Sequence, residues 1–356
     1  MDCAVAAAAL PAIVPRLLTK RDFMAQPRFD VLGIGNAIVD VIARADDDFL
    51  VRHDLRKGTM SLIVEEQAEH IYESMGPAIE ISGGSAANTI VGIASFGARA
   101  AFIGKVRDDV LGRVFIHDIR AAGVTFDTPP APAGPSTARS YIVVTPDGER
   151  TMNTFLGAAQ NLGVEDIHAE AIADAAITYL EGYLWDPQNA KDAFLRAAAI
   201  AHDAKRRVAL TLSDAFCVDR WRDEFLELIR SGTVDILFAN EAELHSLYQT
   251  ADFATALAAL RQDARLAVVT RSEQGCVVVT REQTESVAAF PVARVVDTTG
   301  AGDLFAAGFL FGLARRHDHV TAARLGALAA AEVIQHLGAR PETSLKGLAQ
   351  DTGLPV

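Results

Sequence analysis

From Phe29 onward the chain alternates short β-branched runs with alanine-rich segments whose apolar residues recur at helical spacing. The runs 30–35, 100–104, 176–180, 208–212, 234–238 and 266–270 are predicted strands. The stretches 85–96, 109–122, 187–205, 219–230, 241–248, 302–315 and 321–336 are predicted helices. Strands and helices taken in turn predict an α/β fold, with helices packed on a mainly parallel sheet. Two extended runs break the alternation. Segments 137–145 and 150–156 flank Pro146-Asp147-Gly148, which is turn chemistry, so they predict a hairpin rather than a crossover. With the extended stretch 58–64, the hairpin predicts a small sheet that covers a cleft as a lid, drawn from segments 36–64 and 137–157.

Composition narrows the choice of partners. The 356 residues are 50% hydrophobic and 22% charged, enough for one large core. A formal net charge of -13 argues against nucleic acid and against an anionic membrane surface, since both demand clustered Lys and Arg. A polyphosphate would need a local, built site. Cys3, Cys217 and Cys276 are scattered, which supports neither a disulfide framework nor a zinc site and fits a reducing cytoplasm. The apolar start, Met1 to Pro15, falls short of the roughly 20 residues that span a bilayer. Its positive charges, Arg16, Lys20 and Arg21, follow the apolar stretch instead of preceding it as in a secretory signal. Residues 1–27 therefore read as an extension, with Met24 an alternative start, and 28–356 as one domain. A monomer and a homodimer are both compatible with the sequence.

Candidate chemistry sits where strands run into helices. In Asp297-Thr298-Thr299-Gly300-Ala301-Gly302-Asp303, three small residues let backbone approach a ligand, with N–H groups at a helix start where the dipole favours an anion. Asp303 in the first turn of that helix is placed to take a proton from an attacking hydroxyl; the plainer reading is a helix-start carboxylate acting as a cap. Ile81-Ser82-Gly83-Gly84-Ser85-Ala86-Ala87-Asn88 is a second strand end running into a helix, with Ser85 and Asn88 as polar contacts beside Gly84. Gly33-Ile34-Gly35-Asn36-Ala37-Ile38-Val39-Asp40 lacks the third glycine of a dinucleotide fingerprint, which weakens an oxidoreductase reading. In Asn240-Glu241-Ala242-Glu243, Asn240 and Glu243 share a helix face; they suit a hydrated Mg²⁺, and equally a capping box.

Taken together and in this order, these motifs resemble the ribokinase-like carbohydrate and nucleoside kinase family, also called the PfkB family. The resemblance runs from Gly33 to about Gly338. It implies a three-layer α/β/α sandwich with a small β-sheet lid, use of ATP with Mg²⁺, Asp303 as base, and Gly300, Ala301 and Gly302 as an anion hole. It also implies nucleotide contacts from Thr270, Ser272, Gly275, Thr298 and Asn240, with Ser272 standing where the family usually has glycine. Asn240 and Glu243 would reach Mg²⁺ through water, and a K⁺ near Asp297 and Thr299 would order the turn, as in many relatives. Within the family the chain looks most like the adenosine kinase branch. That branch implies Asp40 on two ribose hydroxyls, Asn36, Gly84, Ser85 and Asn88 around the acceptor, and Arg150 over the transferring phosphate. Ile38, Leu62, Met152 and either Tyr183 or Leu184 fall where an apolar slot for the base is expected, though each passes equally as core. The expected reaction is phosphorylation of the adenosine 5'-hydroxyl to AMP and ADP. A sugar kinase acting on ribose, fructose or a deoxy sugar acid is the nearest rival, and a binding module with a degenerate site is the rival from another class.

Overall fold

A computed structural model describes residues 26–356. The expected extension at 1–27 and Cys3 lie almost wholly outside the described residues. The larger sheet has nine strands: β1 (Phe29–Ile34), β5 (Ala100–Ile103), β6 (Val124–Thr125), β9 (Ala175–Glu181), β10 (Arg207–Thr211), β11 (Ile236–Asn240), β12 (Leu266–Thr270), β13 (Cys276–Thr280) and β14 (Thr284–Val287). Their order is β14-β13-β12-β11-β10-β9-β1-β5-β6. All neighbours are parallel except β12–β13 and β13–β14, which extend one edge by hairpins.

Parallel strands are buried on both faces, and side-chain alternation divides these into two cores. Val31, Phe102, Tyr179 and Phe238 point into one, with helices Ser85–Ser95, Ala301–Ala314 and His319–Val333. Leu32, Ile103, Leu210 and Leu237 point into the other, with helices Gln188–Asp203, Ala215–Arg230, Glu241–Tyr248 and Phe253–Asp263. This is the expected three-layer α/β/α sandwich. The helix Ala301–Ala314 is apolar all round, and Leu304 through Leu313 are buried, as a helix lodged between sheet and helix must be.

The second sheet has five strands: β2 (Ile38–Arg44), β3 (Met60–Leu62), β4 (Ala78–Gly83), β7 (Ala138–Val144) and β8 (Arg150–Phe155), in the order β3-β8-β7-β2-β4. The hairpin at Pro146-Asp147-Gly148 forms as expected, closed by Gly148 N donating to Thr145 O at 2.8 Å. The expected sheet was smaller. β2 and β4 join it as well, since chain leaving β1 turns at once into a second strand. Two helices, Asp47–Arg52 and Glu65–Ser74, cover one face, burying Phe49, Leu50, Ala68 and Ile71 against Val39, Val41, Tyr141 and Val143. Among the described residues no helix is long and apolar enough to cross a membrane, and Cys217 and Cys276 are buried and unpaired.

Candidate active site

Ligands of open α/β sheets bind beyond the carboxyl ends of the strands. Here those ends deliver three of the candidates, with Asn36 following β1, Asn240 closing β11 and Thr270 closing β12, and they add Glu181 at the end of β9. The two glycine turns meet over the same edge. Ser85 Oγ donates to Asp303 Oδ1 at 2.6 Å, and Asn88 Nδ2 donates to Asp303 Oδ2 at 3.1 Å, so residues far apart in the chain hold one carboxylate.

Each turn depends on a glycine. Gly84 has φ 96°, and a Cβ there would lie 2.3 Å from the Asn36 carbonyl oxygen. Gly300 caps the helix Ala301–Ala314 with φ 78°, its would-be Cβ 2.7 Å from Ala339. The Ala301 amide donates to the Thr298 carbonyl at 3.2 Å, so it is not free for an anion as expected. The amides of Gly300, Gly302 and Asp303 have no acceptor among the described residues. A helix start with open amides and a dipole directed outward suits phosphate.

Two cavities flank Asp303. One, about 690 Å³, is lined by Asp40, Ile42, Ser82, Asn88 and Arg340 among others. The other, about 580 Å³, gathers Thr270, Ser272, Gly275, Thr298, Ala301 and Gly302 with the apolar Phe290, Val292 and Ile334. The residues expected to hold the nucleotide are thus brought together, apart from Asn240. Ser272, in place of glycine, adopts the left-handed conformation with φ 50°.

Strand register sorts the remaining candidates. Opposite partners share a face, which sets Ile38, Asp40 and Ile42 beside Ile81 and Ile79, and Leu62, Met152 and Arg150 on the same side through β7. That face is opposite the one covered by helices, and Leu62 and Ile79 on it are exposed. Tyr183 is half-buried at the end of β9. Leu184 is fully buried among the core residues of the outer helices, so of the expected pair Leu184 is core and is withdrawn from the slot.

Electrostatics follow burial. Asp303 is held above the usual carboxylate range because it is buried, against the pull of Ser85, Asn88 and Arg340. Burial lifts Asp40 to about 6, with Arg340 and Arg150 drawing it down and Asp303 pushing it up. Glu181, lifted to about 7 by burial, accepts from the amides of Ala86 at 2.8 Å and Asn36 at 3.3 Å and from Asn36 Nδ2 at 2.6 Å. It therefore ties the loop after β1 to the turn after β4. Neither Glu181 nor Arg340 belongs to the motifs read above. Glu181 has a recognisable signal, a carboxylate at the carboxyl end of a buried strand, whereas Arg340 has none.

The ion sites differ from expectation. Asn240 and Glu243 form a closed capping box: Asn240 Oδ1 accepts from the Glu243 amide at 2.8 Å, and Glu243 accepts from Asn240 N at 3.0 Å and Nδ2 at 2.5 Å. Glu243 is buried and lifted to about 7, so the pair fits Mg²⁺ only through its water shell. Asp297 pairs with Arg150 Nη1 and accepts from Thr299 N at 3.0 Å, Thr299 Oγ1 at 2.7 Å and Gly338 N at 2.9 Å. Arg150 also donates to Thr299 Oγ1 at 3.0 Å. A carboxylate so engaged with a guanidinium does not fit the expected K⁺ site, and Arg150 rests there rather than over Asp303. Among the described residues, no group of three or more His, Cys, Asp or Glu side chains is placed to bind a metal.

A carboxylate suspended between a cavity walled by Asp40 and Arg340 and a helix start with open amides fits one class: a phosphotransferase with a hydroxyl acceptor. The profile of the pfkB family carbohydrate kinases matches residues 80–345, and the chain belongs to that family. It is similar to the adenosine kinase of Sinorhizobium meliloti, at 56% identity and a TM-score of 0.86 over 91% of this chain and 99% of that one. It is also similar to a probable sugar kinase of Rhizobium etli, at 54% identity and a TM-score of 0.87 over 92% and 100%. Fructokinase-1 of Oryza sativa subsp. japonica is 28% identical over 65% of this chain and 73% of its own length. The resemblance to the adenosine kinase branch stands.

Proposed function

We propose that the protein transfers the γ-phosphoryl group of ATP to the 5'-hydroxyl of adenosine, giving AMP and ADP. The observation that carries this reading is the meeting of Ser85, Asn88 and Asp303 between the two cavities. In the reading, ribose hydroxyls lie by Asp40, and the base lies against the apolar lid face of Ile38, Leu62 and Met152, with Tyr183 nearby. The donor's phosphates point at the amides of Gly300, Gly302 and Asp303. As the hydroxyl oxygen attacks in line, Asp303 takes its proton, and the open amides meet the charge gathering on the phosphoryl oxygens. Mg²⁺, held through water by Asn240 and Glu243, would offset phosphate charge. Arg150 is on the lid and reaches the phosphates only by leaving Asp297. Lid closure excludes water as a competing acceptor.

The apolar lid face and the 56% identity to an adenosine kinase support a nucleoside acceptor. The 54% identity to a probable sugar kinase and the likeness to a fructokinase support the rival, a free sugar. A panel of adenosine, other nucleosides, ribose and fructose, assayed with ATP and Mg²⁺, separates them. Adenosine is expected to give the highest kcat/KM; turnover of fructose or ribose with adenosine inert would reject the assignment.

A further inference from the structure

Arg340 comes from the loop after the helix His319–Val333, yet its guanidinium reaches into the acceptor cavity. Arg340 Nε donates to Asn88 Oδ1 at 2.7 Å and Nη2 to Ser82 Oγ at 3.3 Å. Asn88 turns its other end, Nδ2, toward Asp303 at 3.1 Å. An amide between a guanidinium and a carboxylate has one satisfactory orientation, because the first can only donate and the second, ionised, can only accept. Without Arg340, Asn88 is held by Asp303 alone, and once Asp303 carries a proton the amide can turn its oxygen to accept it. We propose that Arg340 is the positioning residue of the phosphoryl-transfer site: through Asn88 it fixes how Asp303 is held, and its charge balances the carboxylates of Asp303 and Asp40.

The surroundings favour this role. Asp303 feels Asp40 from the lid, Glu181, Tyr179 and Tyr183 from β9 and the turn after it, and Arg340 from the far loop. Arg340 itself feels Asp40, Asp118 and Asp303. Of the two arginines close to Asp40, Arg150 is already paired with Asp297, which leaves Arg340 as the cation that balances Asp40 and Asp303. Removing it takes away a charge that draws both buried carboxylates down, so each holds its proton to higher pH: Asp303 weakens as a base, and Asp40 accepts from fewer hydroxyls.

The assignment rests on the kinase reading above and is tested on whichever acceptor the parent enzyme phosphorylates. The readout is the profile of kcat/KM from acid to alkaline pH for the parent, Arg340→Gln and Arg340→Lys. Arg340→Gln is expected to move the acid limb upward by about one pH unit and to lower kcat at neutral pH by about 10²-fold. Arg340→Lys keeps the charge and is expected to keep the parent's acid limb while losing part of kcat. An Arg340→Gln enzyme whose acid limb coincides with the parent's overturns the assignment, however much activity it loses. Should Arg340→Gln not fold, Arg340→Lys decides: the parent's limb with reduced kcat supports the role, and a displaced limb overturns it. A parent that phosphorylates no alcohol overturns the kinase reading itself, a result distinct from an active parent with an unmoved limb.

Discussion

The two cavities beside Asp303 are made of different materials. The acceptor side carries fixed charge, with Asp40 and Arg340 in its wall and Glu181 and Arg150 close behind. The donor side is backbone, small hydroxyls and apolar side chains, with Glu273 the only ionisable group in its lining among the described residues. In the proposed reaction, a ligand that already carries several negative charges would be met by amides and shape, and a neutral one gripped and deprotonated by carboxylates. Substitution and pH should therefore act unequally on the two halves.

Asp303→Asn tests the charged half most severely. Its kcat is expected to fall about 10³-fold, while calorimetry shows acceptor binding retained; a fall of less than tenfold would remove Asp303 as the base. Stability moves the other way. The folded state holds the Asp303 proton more tightly than the unfolded chain, so this carboxyl's stabilising contribution is present in acid and lost as pH rises through its raised value. Asp303→Asn should therefore melt higher than the parent at pH 8, with the gain shrinking toward pH 4.

Next in size is a contrast between glycines. Gly84→Ala must place a methyl against the Asn36 carbonyl at positive φ, and a loss of about 1–3 kcal/mol is expected in denaturant titration, together with weakened acceptor binding. A Cβ on Gly302 meets nothing within 4 Å, so Gly302→Ala should fold like the parent and raise only the KM for ATP. An unchanged KM would move the phosphates away from this turn. Smaller again is the pH response of acceptor binding. With Asp40 titrating at about 6, KM for the acceptor should climb as pH falls through that value, measured at saturating ATP.

The same contrast governs how much could be read from sequence. Donor-side residues lie in contiguous strand-turn-helix runs, where local pattern suffices. Helix Glu241–Tyr248 and strand Leu266–Thr270 form at the expected bounds, and the Gly300–Gly302 turn caps a helix as expected. The acceptor side is assembled across the chain. β2 follows β1 after three residues, so the pair reads as one apolar run, and its pairing with β4 and β7 has no local signal. The helices Asp47–Arg52 and Glu65–Ser74 are short and polar, and each buries only two residues, too few to mark a periodicity. Leu184 beside Tyr183 illustrates a further limit: both are large and apolar enough for a slot, and only the turn after β9 decides which is buried in the core. Arg340 meets Asn88 across 252 positions, a relation no motif encodes.

The reactive turn is completed from downstream. Val296 and Asp297 donate to the Ile334 carbonyl, Asp297 accepts from Gly338, Gly300 packs on Ala339, and Arg340 orients Asn88. During synthesis Asp303 emerges before these partners. A nascent chain that has reached Asp303 but not Arg340 thus lacks the contacts that hold this turn in place.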